Sequence, residues 1–242
     1  MPVAWYNGIV SVARSQPLPS PPRAVPPLHN GDRLTRAEFE RRYHEMPHVK
    51  KAELIEGIVY MPSPVRLTLH GWPHSLLGGC IVYYISKTPG LQAGDNSTLR
   101  LDEDNEPQPD LLLRLPELVG GQSKIAPDGY LEGPVEFIAE VAASSASIDL
   151  HAKLNAYRRN RVREYMVWRT EDGAIDYFIF REGKYELLLP DVDGLLKSEV
   201  FPGLWLDPQA LLQNDLPKLF QAIDKGVVTP EHAAFVERLK SK

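Results

Sequence analysis

The sequence predicts a protein of the α/β (α+β) class, in which apolar strands and amphipathic helices share one core. Two observations support this prediction. The segment 134–142 is apolar at almost every position, which is typical of a central strand covered on both faces. The segment 74–87 repeats its apolar residues at the i, i+3, i+4 spacing of a helix with one buried side. A chain of 242 residues is long enough to bury a substantial core around such elements.

Capping and turn signals mark the predicted helices. Thr35 and Glu38 have the spacing of a capping box ahead of a helix over 36–46. Serines at positions 144, 145 and 147 offer N-cap hydroxyls for a helix that follows them. The helices predicted along the chain are 36–46, 74–87, 148–160, 208–213, 216–224 and 230–240.

Residues that are β-branched or aromatic mark the predicted strands. The first, 52–61, is expected to be one continuous strand. Alternation along it groups Glu53 with Ile55, Val59 and Met61 on the face that should meet the core. A carboxylate there has a partner or a metal, or it lies at the strand end and reaches water. Further strands are predicted over 94–101, 111–115, 134–142, 164–168, 175–180 and 185–189.

The composition, with 43% hydrophobic and 24% charged residues, is that of an ordinary globular protein. No apolar run approaches the ~20 residues that span a bilayer, and the N-terminus lacks the pattern of a secretory signal. The single cysteine, Cys80, cannot form an internal disulfide and is expected in the core. These features predict a cytoplasmic protein without membrane contact. The net charge of −5 argues against nonspecific wrapping of nucleic acid, so phosphates would be held by a local basic patch.

Three regions are predicted along the chain. Residues 1–30 contain seven prolines, which favour an extended arm because proline removes backbone donors. A central domain is expected over 31–212, where the predicted strands lie. A helical extension is expected over 213–242.

Two acidic residues stand in segments that predict adjacent strands. Asp110 precedes the apolar run 111–115, and Glu140 lies near the end of 134–142. Because an acid in a strand buried on both faces is costly, Glu140 needs a cation, a set of hydrogen bonds or a cleft. Asp110 by itself is weaker evidence, since Asp is common beside turns.

Lys153 lies in the helix predicted after Glu140, about 60° from the centre of the inward stripe formed by Leu150, Leu154 and Tyr157. Its ammonium can lean towards the sheet, or its stem can cover apolar surface while the charge reaches water. Two strand acids and this lysine would suit a phosphodiesterase in which the acids hold Mg²⁺ or Mn²⁺. The lysine would then orient water or stabilise the transition state. A structural ion-pair cluster is the alternative.

Other charged residues have simpler explanations. Asp149 falls in the first helical turn, where a negative charge suits the helix dipole. His70 and His74 are four residues apart, but Pro73 is expected to interrupt any helix between them, so no zinc site is predicted. The basic run 158–163 suits the end of a helix, and phosphate binding is the alternative. The sequence has no P-loop, dinucleotide-binding glycine pattern, nucleophile elbow or Cys/His zinc cluster, which excludes several enzyme classes.

Five segments carry a resemblance to a known family. They are AELIEG (52–57), QPD (108–110), EVAASS (140–145), DLHAKL (149–154) and VREYMVW (162–168). In this order and spacing the chain resembles, over about residues 33–212, the Uma-two family of endonucleases, a branch of the PD-(D/E)XK restriction-endonuclease-like superfamily. The resemblance implies a restriction-endonuclease-like core, with a mixed sheet flanked by helices and with extra C-terminal strands and helices. It also implies metal-dependent cleavage of DNA.

Site residues follow from the resemblance by position. Asp110 corresponds to the PD aspartate, Glu140 to the second acid, and Glu53 to an additional acid near the metal. The usual motif has a lysine where this chain has Ala142, and Lys153 looks like the relocated lysine. The implied catalytic residues are Glu53, Asp110, Glu140 and Lys153. The implied ligands of Mg²⁺ or Mn²⁺ are Asp110, Glu140 and Glu53.

The leading interpretation is a metal-dependent endonuclease that hydrolyses DNA phosphodiester bonds, with DNA as its partner and a possible homodimer. The alternative is a non-catalytic nuclease-fold protein for binding or assembly, which the acidic net charge and Ala142 favour. A phosphodiesterase acting on RNA or a nucleotide is a third interpretation. His74 falls near a histidine that family members carry ahead of the second helix, and the sequence leaves its role open.

Overall fold

The computed structural model describes residue 1 and residues 25–62 and 64–240, so most of the proline-rich arm predicted over 1–30 lies outside the described residues. The α-helices are α1 (Arg36–His44), α2 (Trp72–Lys87), α3 (Ala146–Ile148), α4 (Leu154–Arg159), α5 (Pro208–Leu212), α6 (Leu216–Val227) and α7 (Pro230–Lys240). Two π-helical turns, Leu67–Gly71 and Asp149–Lys153, lead into α2 and α4, and Glu117–Val119 forms a 3-10 turn. The early strands are β1 (Glu53–Ile55), β2 (Ile58–Tyr60), β3 (Gln92–Asp95), β4 (Leu99–Arg100), β5 (Leu111–Arg114), β6 (Lys124–Ile125) and β7 (Leu131–Glu132). The later strands are β8 (Phe137–Ala142), β9 (Glu164–Arg169), β10 (Ala174–Arg181), β11 (Lys184–Leu187), β12 (Leu196–Lys197) and β13 (Trp205–Leu206).

The main sheet has six strands in the order β11-β10-β9-β8-β5-β3. Strands β8 and β9 are parallel, whereas every other neighbouring pair is antiparallel. All six residues of β8 are buried, which is the central strand predicted from the apolar run 134–142. The sheet is therefore mixed and flanked by helices, as predicted.

Helices cover both faces of β8. Phe137 and Ala139 belong to an apolar cluster with α2 and the C-terminal helices, which contribute Ile223 and Phe235. The alternate residues of β8 belong to a second cluster that contains Tyr157 of α4. Glu140 lies on this second face, so its carboxylate points towards α4. The predicted domain boundary at residue 212 stays a prediction, although α6 and α7 pack into the first cluster.

The strand predicted over 52–61 is a hairpin, so that prediction is wrong. Glu56 and Gly57 have φ angles of 51° and 73°, the left-handed pair that closes a two-residue turn between β1 and β2. The pairing sets Glu53 opposite Tyr60, and it sets Val59 opposite Leu54 on the other face. Glu53 therefore does not share a face with Val59. The predicted strand 94–101 is likewise divided, into β3 and β4.

The segment before α2 also differs from its prediction. The π-helical turn Leu67–Gly71 leads directly into α2, so Pro73 does not interrupt the helix between the two histidines. Because proline has no N–H, the carbonyl of Leu69, four residues earlier, loses its helical partner. The hydroxyl of Thr170 donates to that carbonyl at 2.6 Å instead. Cys80 of α2 is fully buried, as predicted.

Within the described ranges, none of the helices combines the length and the hydropathy of a bilayer span.

Candidate active site

Two neighbouring strands bring the predicted acids together. Leu111 of β5 pairs with Ala139 of β8, which sets Asp110 beside Glu140. The backbone N–H of Asp110 donates to Oε2 of Glu140 at 3.2 Å. The backbone N–H of Val141 donates to Oδ2 of Asp110 at 2.8 Å. Each acid thus accepts from the backbone of the other strand, and this fixes their relative position.

Lys153 joins the acids from the opposite side. Its Nζ lies 3.0 Å from Oε1 of Glu140 and 3.0 Å from Oε1 of Glu53. The side chain is buried, with 5% of the residue exposed, so it does not cover apolar surface with its charge in water. Its position at the end of the π-helical turn aims it at the sheet, as its angular offset predicted.

Glu53 completes the group from the β1–β2 hairpin. Its Oε1 atom also accepts from the backbone N–H of Gln108, at 2.7 Å. Glu53 is 9% exposed and has Lys153 as its partner, which is the predicted interpretation in which the carboxylate is compensated. The structure therefore places Lys153 in contact with both Glu53 and Glu140, with Asp110 next to Glu140.

Asp149 belongs to the same group, and it also lies in the first turn of its π-helical segment as predicted. It is 2% exposed, and its Oδ1 lies 3.6 Å from the Lys153 ammonium. The Ser145 hydroxyl donates to its Oδ2 at 2.6 Å instead of capping the helix backbone. Asp149 and Lys153 are four residues apart in a helical segment, and this spacing is the sequence pattern that predicts their contact.

Tyr157 holds Glu140 in place. Its hydroxyl donates to Oε1 of Glu140 at 3.0 Å, the same oxygen that Lys153 contacts. The sequence identified Tyr157 only as part of the inward stripe of its helix, and apolar periodicity carries no information on where its hydroxyl points.

A second set of residues surrounds Asp110. The Nε2 atom of His70 lies 3.1 Å from its Oδ2, and Nζ of Lys51 lies 3.5 Å from its Oδ1. His74 contacts the backbone carbonyl of Asp110 at 3.1 Å and Oδ1 of Asp95 at 3.3 Å. The prediction that a histidine at the helix start acts as a hydrogen-bond partner is confirmed for His74.

The environment of Asp110 favours its charged form. Burial alone would raise the pKa of Asp110, but the hydrogen bond from His70 and the charge of Lys51 outweigh burial. The pKa of this carboxyl therefore lies well below its ordinary value. Asp110 is therefore an anion near neutral pH.

The surroundings of Glu140 and Asp149 instead raise the pKa values of these two acids. Burial raises the pKa of Glu140 to about 8, although the Lys153 ammonium acts against this shift. Burial also raises the pKa of Asp149. Burial alone would lower the pKa of Lys153, but the charges of Glu140, Glu53 and Asp149 outweigh it and raise that pKa well above its ordinary value. The Lys153 ammonium is thus the shared counter-charge of three carboxyl groups, and it does not neutralise all three.

An open cavity of about 870 Å³ gives access to these side chains. Its lining includes five acidic and four basic side chains. These residues are Glu53, Asp110, Glu140, Asp149, Glu171, Lys51, Arg66, His70 and Lys153. The basic run 158–163 does not line the cavity; Arg159 pairs with Glu56 at 3.6 Å, as an ordinary surface arginine does.

The acids suit Mg²⁺ or Mn²⁺ by their chemistry, since both ions prefer carboxylate oxygens. In the part of the chain that the structure describes, no group of three His, Cys, Asp or Glu side chains is already arranged to hold a metal ion. The Lys153 ammonium lies between Glu53 and Glu140 at ion-pair distance from both. The carboxylates therefore suit such an ion in their donor chemistry, but the side chains would have to rearrange before it could bind.

Comparisons with known proteins agree with the fold and the motifs. Residues 36–209 match the family model Uma2, described as "Putative restriction endonuclease". Among solved structures, the chain is similar to a protein from Anabaena variabilis ATCC 29413 described as a "putative nuclease". That match has a TM-score of 0.50 and 11% sequence identity, and it covers 76% of this chain and 97% of that chain. A search of the curated proteins found no match.

The structural match shows that the two proteins share a fold, and the family description supports a nuclease. The resemblance carried by the five sequence segments is confirmed, because the family model covers well over half of the chain. This chain belongs to the Uma2 family, whose description is "Putative restriction endonuclease".

Proposed function

We propose that the protein is an endonuclease that hydrolyses DNA phosphodiester bonds with the help of Mg²⁺ or Mn²⁺. The observation that carries this proposal is the contact of Lys153 with both Glu53 and Glu140 beside Asp110, at an open cavity. Three acids and a lysine from separate elements have no need to meet at a cavity for the sake of the fold. The site supports the function, because a fold by itself hosts many activities.

Two other buried acids show what a structural carboxylate looks like in this protein. Glu136 is fully buried, and its oxygens accept from the backbone N–H groups of Leu115 and Gln122. Glu164 is fully buried and accepts from two hydroxyls and two backbone N–H groups. Each of these acids is satisfied by neutral donors. Glu140 instead depends on an ammonium and borders a cavity.

Asp110 and Glu140 are the residues that would hold the ion, with Glu53 as the third acid. Once bound, Mg²⁺ or Mn²⁺ would supply a water of lowered pKa and neutralise charge on the phosphate. His70 restrains the Asp110 carboxylate, and Tyr157 restrains that of Glu140. These neighbours keep the two carboxylates oriented towards one another before any ligand arrives.

Lys153 would act on the substrate through its charge. Its ammonium can donate to a non-bridging phosphate oxygen or orient the attacking water. The usual motif would place this lysine at Ala142, but that residue is fully buried in the apolar cluster between β8 and α4. Delivery of the lysine from the helix is thus consistent with a proposed catalytic role.

DNA is the proposed substrate because the family is described as restriction endonucleases. Lys51 and Arg66 line the cavity and can contact backbone phosphates, against the net charge of −5 of the whole chain. A homodimer would allow cleavage of both DNA strands. The proposed location of the protein is the cytoplasm.

A non-catalytic binding protein is the second candidate, and one observation favours it. Lys153 already partners two of the acids that would hold the metal. A protein that had lost turnover would retain such a stable ion-pair cluster.

Incubation of purified protein with supercoiled plasmid and Mn²⁺ tests the proposal. We expect nicked and linear products, and we expect Glu140→Gln and Lys153→Ala to lower the rate by roughly a hundredfold or more. Glu117→Gln and Lys184→Ala, at exposed positions, are the matched controls and should cleave as the wild type does. Cleavage that survives both site substitutions, or no cleavage with any divalent ion, would overturn the proposal.

A further inference from the structure

The Lys153 ammonium contacts oxygen atoms of two of the acids that are proposed to bind the metal ion. Its Nζ is 3.0 Å from one oxygen of Glu53 and 3.0 Å from one oxygen of Glu140. The residue is 5% exposed, so the ammonium has left bulk water and depends on these oxygens. Both acids are among the proposed ligands of the divalent ion.

A divalent ion and the ammonium cannot share the same oxygens at these distances. Two cations drawn to Oε1 of Glu53 and Oε1 of Glu140 would lie a few ångströms apart in a poorly solvated site, where like charges repel strongly. Entry of the ion therefore requires the ammonium to move. A buried ammonium moves only if another acceptor takes it.

Asp149 is placed to be that acceptor. Its Oδ1 is 3.6 Å from Nζ of Lys153, longer than the two other ion pairs, and both residues lie in one π-helical turn. Its Oδ2 is held by the Ser145 hydroxyl, so the carboxylate keeps its orientation. Asp149 is 2% exposed, and a small movement of the Lys153 side chain shortens the contact between them.

We propose that Lys153 is an internal counter-cation that the divalent ion displaces, and that Asp149 is the positioning residue that holds the displaced ammonium beside the site. This inference rests on the proposed metal-dependent function. Before the ion binds, Lys153 partners the acids and prevents their mutual repulsion. After displacement, Asp149 keeps the ammonium within reach of the phosphate.

Calorimetric titration of the full-length protein with Mn²⁺ at pH 8 tests this inference without reference to activity. The comparison uses wild type, Lys153→Gln, Asp149→Asn and the double variant, with Lys184→Gln as the exposed control. We expect Lys153→Gln to bind Mn²⁺ at least roughly tenfold more tightly than wild type, because the ion no longer competes with an ammonium. We expect Asp149→Asn to weaken binding in the wild-type background by more than in the Lys153→Gln background.

Lys153→Gln binding Mn²⁺ no more tightly than wild type would overturn the inference. Asp149→Asn weakening both backgrounds equally would overturn the role of Asp149. If Lys153→Gln does not fold by itself, the rise in melting temperature of Lys153→Met with increasing Mn²⁺ gives the same comparison.

The double substitution Asp110→Asn, Glu140→Gln separates this inference from the proposed function. If that variant still binds Mn²⁺ as the wild type does, the ion lies elsewhere and both proposals fail. If that variant loses binding while Lys153→Gln binds as the wild type does, only the displacement fails.

Discussion

Nζ of Lys153 lies 3.0 Å from Oε1 of Glu140, and this contact joins the helical segment after β8 to the strand itself. The two residues are thirteen positions apart, and both are almost fully buried. Removal of one partner from such a pair leaves an uncompensated charge in the interior, which is far more costly than the loss of a surface ion pair.

Lys153→Met should destabilise the protein at pH 8 by about 3–5 kcal/mol, the range for a broken buried pair. The raised pKa of Lys153 keeps the wild-type ammonium charged throughout pH 5–8, so any pH dependence comes from the acids. Because burial raises the pKa of Glu140 to about 8 and also raises that of Asp149, these acids take up protons as the pH falls, and the cost should be smaller at pH 5. Urea unfolding of wild type and Lys153→Met at pH 5 and pH 8 measures the loss of stability at each pH. An equal loss at the two pH values, or a comparable loss in the exposed control Lys184→Met, would contradict the prediction.

Tyr157→Phe should lower the free energy of unfolding by about 1–3 kcal/mol, the range for a buried acceptor that loses its hydrogen-bond donor. The phenylalanine ring fills the same space, so the core should remain packed. Chemical denaturation compared with Tyr130→Phe, at an exposed position, checks the result. A Tyr157→Phe protein as stable as its control would show that the hydroxyl does not support Glu140.

The stability of the Glu106→Gln variant relative to wild type should increase as the pH rises. Burial, together with the nearby carboxyl of Glu40, raises the pKa of Glu106 to about 8. Between the ordinary value of 4.5 and about 8, the folded protein holds a proton that the unfolded chain has released, so wild-type stability falls as the pH rises through this window. The amide has no proton to release. Melting temperatures at pH 5 and pH 8 should therefore shift in favour of the variant at pH 8, and a constant difference would contradict this account.

Thr170→Val should cost about 1 kcal/mol, because it leaves the Leu69 carbonyl without the donor that replaces the missing N–H of Pro73. The same π-helical turn carries His70, so DNA cleavage should also fall. Thr68→Val, at an exposed position of that turn, is the control. Thermal unfolding and plasmid cleavage measured on both variants check the prediction, which fails if they behave alike.

Sequence patterns were sufficient for the elements whose signals are local and strong. The continuous apolar run 134–142 predicted β8, and the acid inside it identified Glu140. The angular position of Lys153 on its helix predicted that it leans towards the sheet. Burial of such a charge could not be derived, because it depends on partners that arrive from β1 and the π-helical turn.

The remaining features depend on contacts that periodicity does not encode. The hairpin at 52–61 was missed because Glu-Gly is a weaker turn signal than Asn-Gly or Asp-Gly, and the β-branched residues continue on both sides of it. His70 reaches Asp110 from a helical turn ahead of Pro73, and Thr170, a hundred residues away, donates to the Leu69 carbonyl of that turn. Lys51 lies just before β1, and no pattern in the sequence predicts its contact with Asp110.

The most direct test of the metal-dependent site is the anomalous difference density of crystals soaked in Mn²⁺, at a concentration that supports plasmid cleavage by the same protein. The account predicts a Mn²⁺ peak coordinated directly by the carboxylates of Asp110 and Glu140, with the Lys153 ammonium moved away from Glu140. Crystals with no peak in this cavity, and with Lys153 still between Glu53 and Glu140, would contradict it.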